Sequence, residues 1–381
     1  MSKRKKYINL IGCLLFMGLL GLGGCGSPSS VSDADAELVY KSSMELQYAK
    51  NFAVDYYEGG YKMLTITADG TQFLIVPEEK NVPQALDENI VVLHQPLGNL
   101  YLVASAAMDM FRELDAIDQI RFSGQKADSW YIEEARAAME KGSMLYAGKY
   151  SMPDYELIVS EGCSLAIENT MISHSPEVIE KLKEFGIPVL IDYSSYETHP
   201  LGRVEWIKVY GALLGKEKKA DAAFAEQTDA LKYVGKEAQT DKTVAFFYIT
   251  SNGTANVRKT SDYIPQMIDL AGGSYIFQDP GSDEDHRSSV NMTMEEFYAT
   301  AKDADYLVYN STIDGEIQTV EQLLGKSTML RDFKAVREGN VWCTTSDLYQ
   351  HSMSVGSFTM DLHAMLTADR SHEYKYLYSL K

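Results

Sequence analysis

Cysteine is scarce, at four residues in 381, and neither a Cys-x-x-Cys pair nor a cysteine–histidine cluster with zinc-ligand spacing occurs. Positive charge is short as well: 35 Lys and Arg stand against 54 Asp and Glu, a formal net charge of −19. Such acidity argues against nucleic acid or anionic lipid surfaces as partners, and it keeps an abundant surface protein soluble. Beyond the first 26 residues there is no G-x-G-x-x-G, and nowhere a Walker A loop or a G-x-S-x-G elbow. Nucleotide-binding loops and serine-hydrolase chemistry therefore lack local support. The only long apolar run, Ile8 to Leu20, is too short for a stable membrane span.

That run reads instead as the core of an export leader. Lys3, Arg4, Lys5 and Lys6 precede it as a basic region, and Leu22-Gly23-Gly24-Cys25 ends it. The ending resembles a lipobox, in which Cys25 is lipidated and becomes the mature N-terminus. A diacyl anchor supplies two chains, enough for lasting attachment where one is marginal. Residues 26–45 are small, polar and acidic and read as a flexible tether.

The next stretch, 61–79, has two alternating runs around Ala68-Asp69-Gly70, a hairpin signal. From Asn89 the pattern becomes strand–helix alternation, hence a parallel sheet. Strands are expected at 89–93, 119–124, 154–162 and 187–193, with helices at 99–116, 129–141 and 176–185. Pro200 then opens a helix whose apolar residues recur at helical spacing to Gly215, a beam between two lobes. After a second helix, 219–234, alternation restarts, with strands at 243–250, 305–311 and 341–345. The halves look like variations on one unit. The expected fold is α/β: two Rossmann-like lobes with parallel sheets, joined by a single long hinge helix, with a ligand cleft between them. The expected divisions are leader 1–25, tether 26–45, first lobe 46–199, connecting helices 200–235 and second lobe 236–381. Cys163 and Cys343 fall in different lobes, and a bridge across a moving cleft would lock it, so both read as free thiols.

The segment G-I-P-V-L-I-D…H-P-L-G-R-x-E-W-I-K-x-Y-G-x-L-L-G-K resembles the hinge region of ABC-transporter substrate-binding proteins of the iron-complex and vitamin B12 type. The resemblance extends from about Asn89 to the C-terminus. It implies a monomeric, lipid-anchored receptor, with no cofactor or resident metal, that captures an iron(III) chelate and delivers it to an ABC permease and its ATPase. Cobalamin and haem are the alternative ligands. From other classes, a chelatase-like or metal-cluster enzyme domain and a structural lipoprotein remain.

In open parallel sheets the ligand site lies beyond the carboxyl ends of the strands. In the loops so selected, Ser160, Glu161, Asn252 and Asn310 are candidates. The resemblance adds Tyr101, Trp130 and Tyr349 as aromatic faces and Arg258, Arg287 and His351 as polar or cationic contacts. Aromatic faces and guanidinium donors suit a bulky, anionic chelate. Trp130 reads equally as packing at a helix start, and Arg258 and Arg287 as surface ion pairs. His174, Glu197 and His199 come nearest to a metal set, but capping and hinge packing fit them better. At the hinge, Pro200, Arg203, Glu205 and Trp206 are read as fixing the beam's orientation. The resemblance also implies an acidic docking residue for the permease on each lobe. Glu295 or Glu296 fits in the second lobe; in the first, 144–149 has no acid and Glu140 is closest.

Overall fold

The computed structural model describes residues 38–234, 239–278 and 288–381, so the leader, Cys25, most of the tether and Arg287 lie outside the described residues. Three sheets organise the chain. The first is a meander, Tyr40–Ser43, Phe52–Tyr57, Lys62–Ile66 and Thr71–Val76, with Val91–His94 added parallel to the last of these strands. The expected hairpin is present: Ile66 pairs with Thr71 and Gly70 turns the chain at φ 77°. Asp69 Oδ1 accepts the Thr71 N–H at 2.9 Å, which fixes the turn. The run at 89–93 is a strand as expected, but it belongs to this N-terminal sheet and not to the first lobe's parallel sheet.

The second sheet is all-parallel, in the order Val189–Asp192, Ala166–Asn169, Leu100–Leu102, Ile120–Ser123, Leu145–Tyr146. The third has Thr243–Ile249 at its centre, flanked in parallel by Tyr306–Tyr309 and, beyond it, Val341–Thr344; Ser274–Tyr275 lies on the other side. In the second sheet the first, fourth and fifth strands in chain order stand side by side, and in the third the first, third and fourth of the parallel strands do, which matches the internal repeat read from sequence. In the third sheet Ala255–Arg258, Ser289–Met292 and Leu377–Ser379 add antiparallel strands.

Three expected elements are corrected. Residues 99–116 are not one helix: Leu100–Leu102 is a core strand, and the helix is Ala107–Glu113. Residues 154–162 are not a strand. Tyr155–Ser160 is a helix whose N-cap, Asp154, accepts the Leu157 N–H, and the strand follows at Ala166–Asn169. Its Ile-Val pair looked like strand, yet the cap residue decides. The beam, finally, is not one helix from Pro200 to Gly215. It is two, Pro200–Glu205 and Ile207–Leu214, meeting at Trp206 and ended by Gly215 in the left-handed region.

Both short helices are held by the N-terminal sheet. The Glu205 carboxylate is fully buried and accepts the N–H groups of Gln47, Tyr48 and Ala49 at 2.8 to 3.1 Å, with Lys208 Nζ at 3.0 Å. Glu197 does the same for Lys50 and Asn51 and also accepts the Trp206 indole N–H. The helix that spans from this assembly to the C-terminal sheet is Glu217–Val234, 18 residues or roughly 27 Å at 1.5 Å per residue. Two glycines let it seat closely. A Cβ on Gly211 would lie 2.7 Å from the Ala220 Cβ, and one on Gly356 would lie 2.7 Å from the Ala230 Cβ. Cys163 and Cys343 are both free.

Glu205→Ala strands three N–H groups, that of buried Ala49 among them, and the buried Lys208 ammonium. It should lower the unfolding free energy by about 3–5 kcal/mol, read from urea titration. A loss below about 1 kcal/mol would mean that the carboxylate does not hold the sheet to the helices.

Candidate functional site

A cavity of about 630 Å³ lies between the carboxyl ends of two parallel strands of the first lobe and the outer, antiparallel strands of the C-terminal sheet. On one side Asn169 ends its strand and caps the 3-10 turn Thr170–His174, its Oδ1 accepting the Met171 N–H at 2.9 Å. With three residues per turn, Met171 and His174 fall on one face, and both line the cavity with Thr170 and Ser173. Ser195 and Tyr196, after the next strand, and Arg203 complete that wall. The opposite wall is Arg258 at its strand end, Asp262 and Tyr263 at a helix start, and Ser288 and Ser289.

Two guanidinium groups dominate the electrostatics. Arg203 lies over the Tyr263 ring at 4.0 Å and donates from Nη1 to the Ser195 carbonyl at 3.2 Å. Arg258 donates to Ser288 Oγ at 3.3 Å, with the Asp262 carboxylate at 3.9 Å. Asp262 is partly committed elsewhere, since it caps the helix Tyr263–Leu270. Five hydroxyl side chains (Thr170, Ser173, Ser195, Ser288 and Ser289) surround the pair. Positive forks among hydroxyl donors suit an oxygen-rich anion. Beneath the first wall, Glu168 is fully buried with neither carboxylate oxygen partnered among the described residues, and burial pushes its carboxyl up to about 8. It is therefore mainly protonated at neutral pH.

Of the residues expected to bind ligand, Arg258 is in the cavity. Tyr101 is not: it is a core strand residue whose hydroxyl donates to the Gly148 carbonyl. Trp130 is buried too, its indole N–H donating to Ser123 Oγ at 3.1 Å. Ser160 and Glu161 precede their strand, which puts them at the sheet's amino end, and Glu161 pairs there with Arg121 at 3.0 Å. Asn252 sits in the exposed Thr250–Gly253 turn, and Asn310 is buried as the cap of Ser311–Asp314. Neither lines the cavity. Arg203, expected only to orient the hinge, is one of its two cations. The wall from Thr170 to His174 was missed because the strand before it was expected at 154–162 and lies at Ala166–Asn169. Asn169-Thr170-Met171, an Asx cap after an apolar pair, was the available signal.

Tyr349 and His351 border a small crevice that also includes Arg203 and Tyr263. His351 bridges the lobes: Nδ1 is 3.6 Å from Asp109 of the first and Nε2 3.3 Å from Asp347 of its own. Hydrogen bonds to these carboxylates raise its pKa to about 9. Burial pushes Asp109 up, but His351, Arg112 and the Met353 N–H outweigh it and hold the carboxyl below its ordinary value.

Two lobes of matched topology closing on an anion-suited cavity define a solute-capturing protein. Residues 133–348, more than half of the chain, match the family described as periplasmic binding protein. The chain belongs to that family, whose members bind substrates rather than transform them. An uncharacterized lipoprotein of Methanocaldococcus jannaschii is 27% identical over 95% of this chain and 93% of its own. Among solved structures, a periplasmic binding protein of Veillonella parvula superposes with TM-score 0.58 at 18% identity, covering 72% of this chain and 92% of that one. A periplasmic haem-binding protein of Vibrio cholerae gives 0.54 at 16% (68% and 96%), and a periplasmic vitamin B12 binding protein of the same organism 0.51 at 13% (72% and 98%). These likenesses establish the two-lobed fold. The N-terminal sheet lies outside the family match.

The raised His351 pKa has a definite sign. The interlobe ion pair adds stability fully below about pH 6.5, and that contribution is lost as pH rises through about 9. The melting-temperature difference between wild type and His351→Gln should therefore shrink steadily from pH 6.5 to 9.5. A difference independent of pH would show that the imidazole is neutral in the folded protein.

Proposed function

We propose that the protein is the extracytoplasmic solute-binding component of an ABC importer and that it captures an anionic iron(III) chelate between its lobes. The observation that carries this reading is the pair Arg203 and Arg258, on opposite walls of one cavity with hydroxyl groups between them. A closing cleft brings both forks onto one ligand, and no covalent chemistry is needed. Haem is the second reading. Met171 and His174 share a face of the cavity and offer axial donors, while the arginines suit carboxylates. Attachment through a lipid on Cys25 is part of the proposal, supported by the leader's sequence and by the lipoprotein relative.

The repeat supports a pair of acidic residues for permease docking. In each lobe a helix precedes a strand that pairs with the first parallel strand: Tyr155–Ser160 before Ala166–Asn169, and Met294–Ala301 before Tyr306–Tyr309. Each begins at the cleft side of its sheet, with a capping residue (Asp154, Thr293) and an exposed acid two residues later, Glu156 and Glu295. By this match our proposal for the first lobe is Glu156 in place of Glu140, which ends a different helix. Glu296 is occupied in a capping box with Thr293, so Glu295 is the freer partner. Acids at helix starts are also favoured by the helix dipole, so transport must decide.

Arg203→Ala and Arg258→Ala should each weaken binding of the recognised ferric chelate. Losing a charge-assisted bond costs about 1.5–3 kcal/mol, or roughly 10- to 150-fold in calorimetric Kd, and exposed Lys232→Ala should be silent. If neither arginine variant changes affinity, the cavity is not the site. Glu156→Ala and Glu295→Ala should leave that Kd intact and lower uptake; unchanged uptake in the double variant would remove both acids from the docking surface.

A further inference from the structure

Part of the space between the lobes is filled by the protein itself. The segment 349–353 follows the strand Val341–Thr344 and crosses to loops that follow Leu100–Leu102 and Ile120–Ser123. Gln350 is fully buried there: its Oε1 accepts the Tyr131 N–H at 2.7 Å and its Nε2 donates to the Ser129 carbonyl at 2.7 Å. Ser352 Oγ donates to the Ala106 carbonyl at 2.7 Å, and the Met353 N–H donates to Asp109 Oδ2 at 2.8 Å. His351 lies between Asp109 and Asp347, and the rings of Tyr131 and Tyr349 meet edge to face at 6.3 Å.

These contacts sit beyond the carboxyl ends of parallel strands, where the remaining space would otherwise take ligand. The amide of Gln350 and the carboxylate of Asp109 are both satisfied and dry, which makes the contact costly to half-break. The 630 Å³ cavity lies on the other side, around the ends of Ala166–Asn169, Val189–Asp192 and Ala255–Arg258. That volume falls in the range of about 300–1,000 Å³ that holds drug-sized ligands. A corrin macrocycle bearing a nucleotide arm is far larger and would need both halves.

We infer that Gln350, His351 and Asp109 form a partition that stays made in the free protein and confines the ligand to the Arg203–Arg258 half, so that these residues set ligand size and select a compact anionic chelate over a corrinoid. The inference rests on the cleft being the ligand site, but its central claim concerns the free protein and is measured there. Hydrogen exchange of the Tyr131 and Met353 amides, resolved by fragmentation mass spectrometry on the full-length protein in detergent, reads the partition directly. Both amides should be protected without ligand, and Gln350→Ala should speed Tyr131 exchange at least tenfold. Rapid exchange of both in free wild type would overturn the partition. In parallel, cyanocobalamin and ferric citrate are titrated calorimetrically into wild type. Absence of cyanocobalamin binding beside the protected amides is the expected result; cyanocobalamin binding as tight as that of ferric citrate overturns the size limit. Protected amides with no ferric chelate bound, from citrate to hydroxamates and catecholates, would sink the proposed function and leave the partition standing.

Discussion

The architecture depends on two buried carboxylates. Glu205 and Glu197 take five successive backbone N–H groups, from Gln47 to Asn51, that no sheet ladder satisfies at that point. An unpaired carboxylate in the core would be prohibitively costly, and so would a run of bare amides. Each makes the other tolerable. Lys208 and Trp206 fill the remaining acceptor positions, and Lys208 also donates to the Glu45 carbonyl. The result is that the N-terminal sheet, which lies outside the family match, is joined to the helices on which lobe orientation depends. Phe52 packs edge to face on Trp206, and Lys62 donates to the Ala212 carbonyl, so the joint extends along both short helices.

With those helices fixed, the motion available to the molecule is narrow. Glu217–Val234 leaves the braced assembly through Gly215, and its seats at Gly211 and Gly356 admit no side chain. Arg203 belongs to the braced part and projects onto Tyr263 of the other lobe. One wall of the cavity is therefore braced against the N-terminal sheet, and the opposite wall is joined to it through the spanning helix. The contact of Gln350 and His351 with the first lobe adds a second tie at the far side of the cleft. Two ties on opposite sides of the cleft oppose wide separation of the lobes.

Much of this was legible in the chain. The Asp69-Gly70 hairpin, the α/β alternation, the repeat between halves and the family resemblance all came from local pattern: turn residues, apolar periodicity and motif order. Those signals report a residue's neighbours along the chain, and they are reliable where neighbours decide the structure. They were misleading where two local readings compete. Leu157-Ile158-Val159 suits a strand, but Asp154 caps a helix over it, and that displaced the following strand and its loop. Tyr101, Trp130 and Asn310 have the chemistry of ligand contacts, yet their polar groups are spent on Gly148, Ser123 and Thr312 within the fold.

The sequence by itself determined the fold class, the two-lobed plan and the residue types available to a cleft, because periodicity and turn chemistry act over a few residues. Only the tertiary structure decided which strands share a sheet, that Glu205 and Glu197 serve the segment 47–51, and that Arg203 and Arg258 meet in one cavity while Gln350 reaches across to the first lobe. The side-chain contacts among these join residues separated by 55 to more than 200 positions. A hydrogen bond or ion pair at that separation is chosen by how whole elements pack, and the one-dimensional pattern carries no record of the choice.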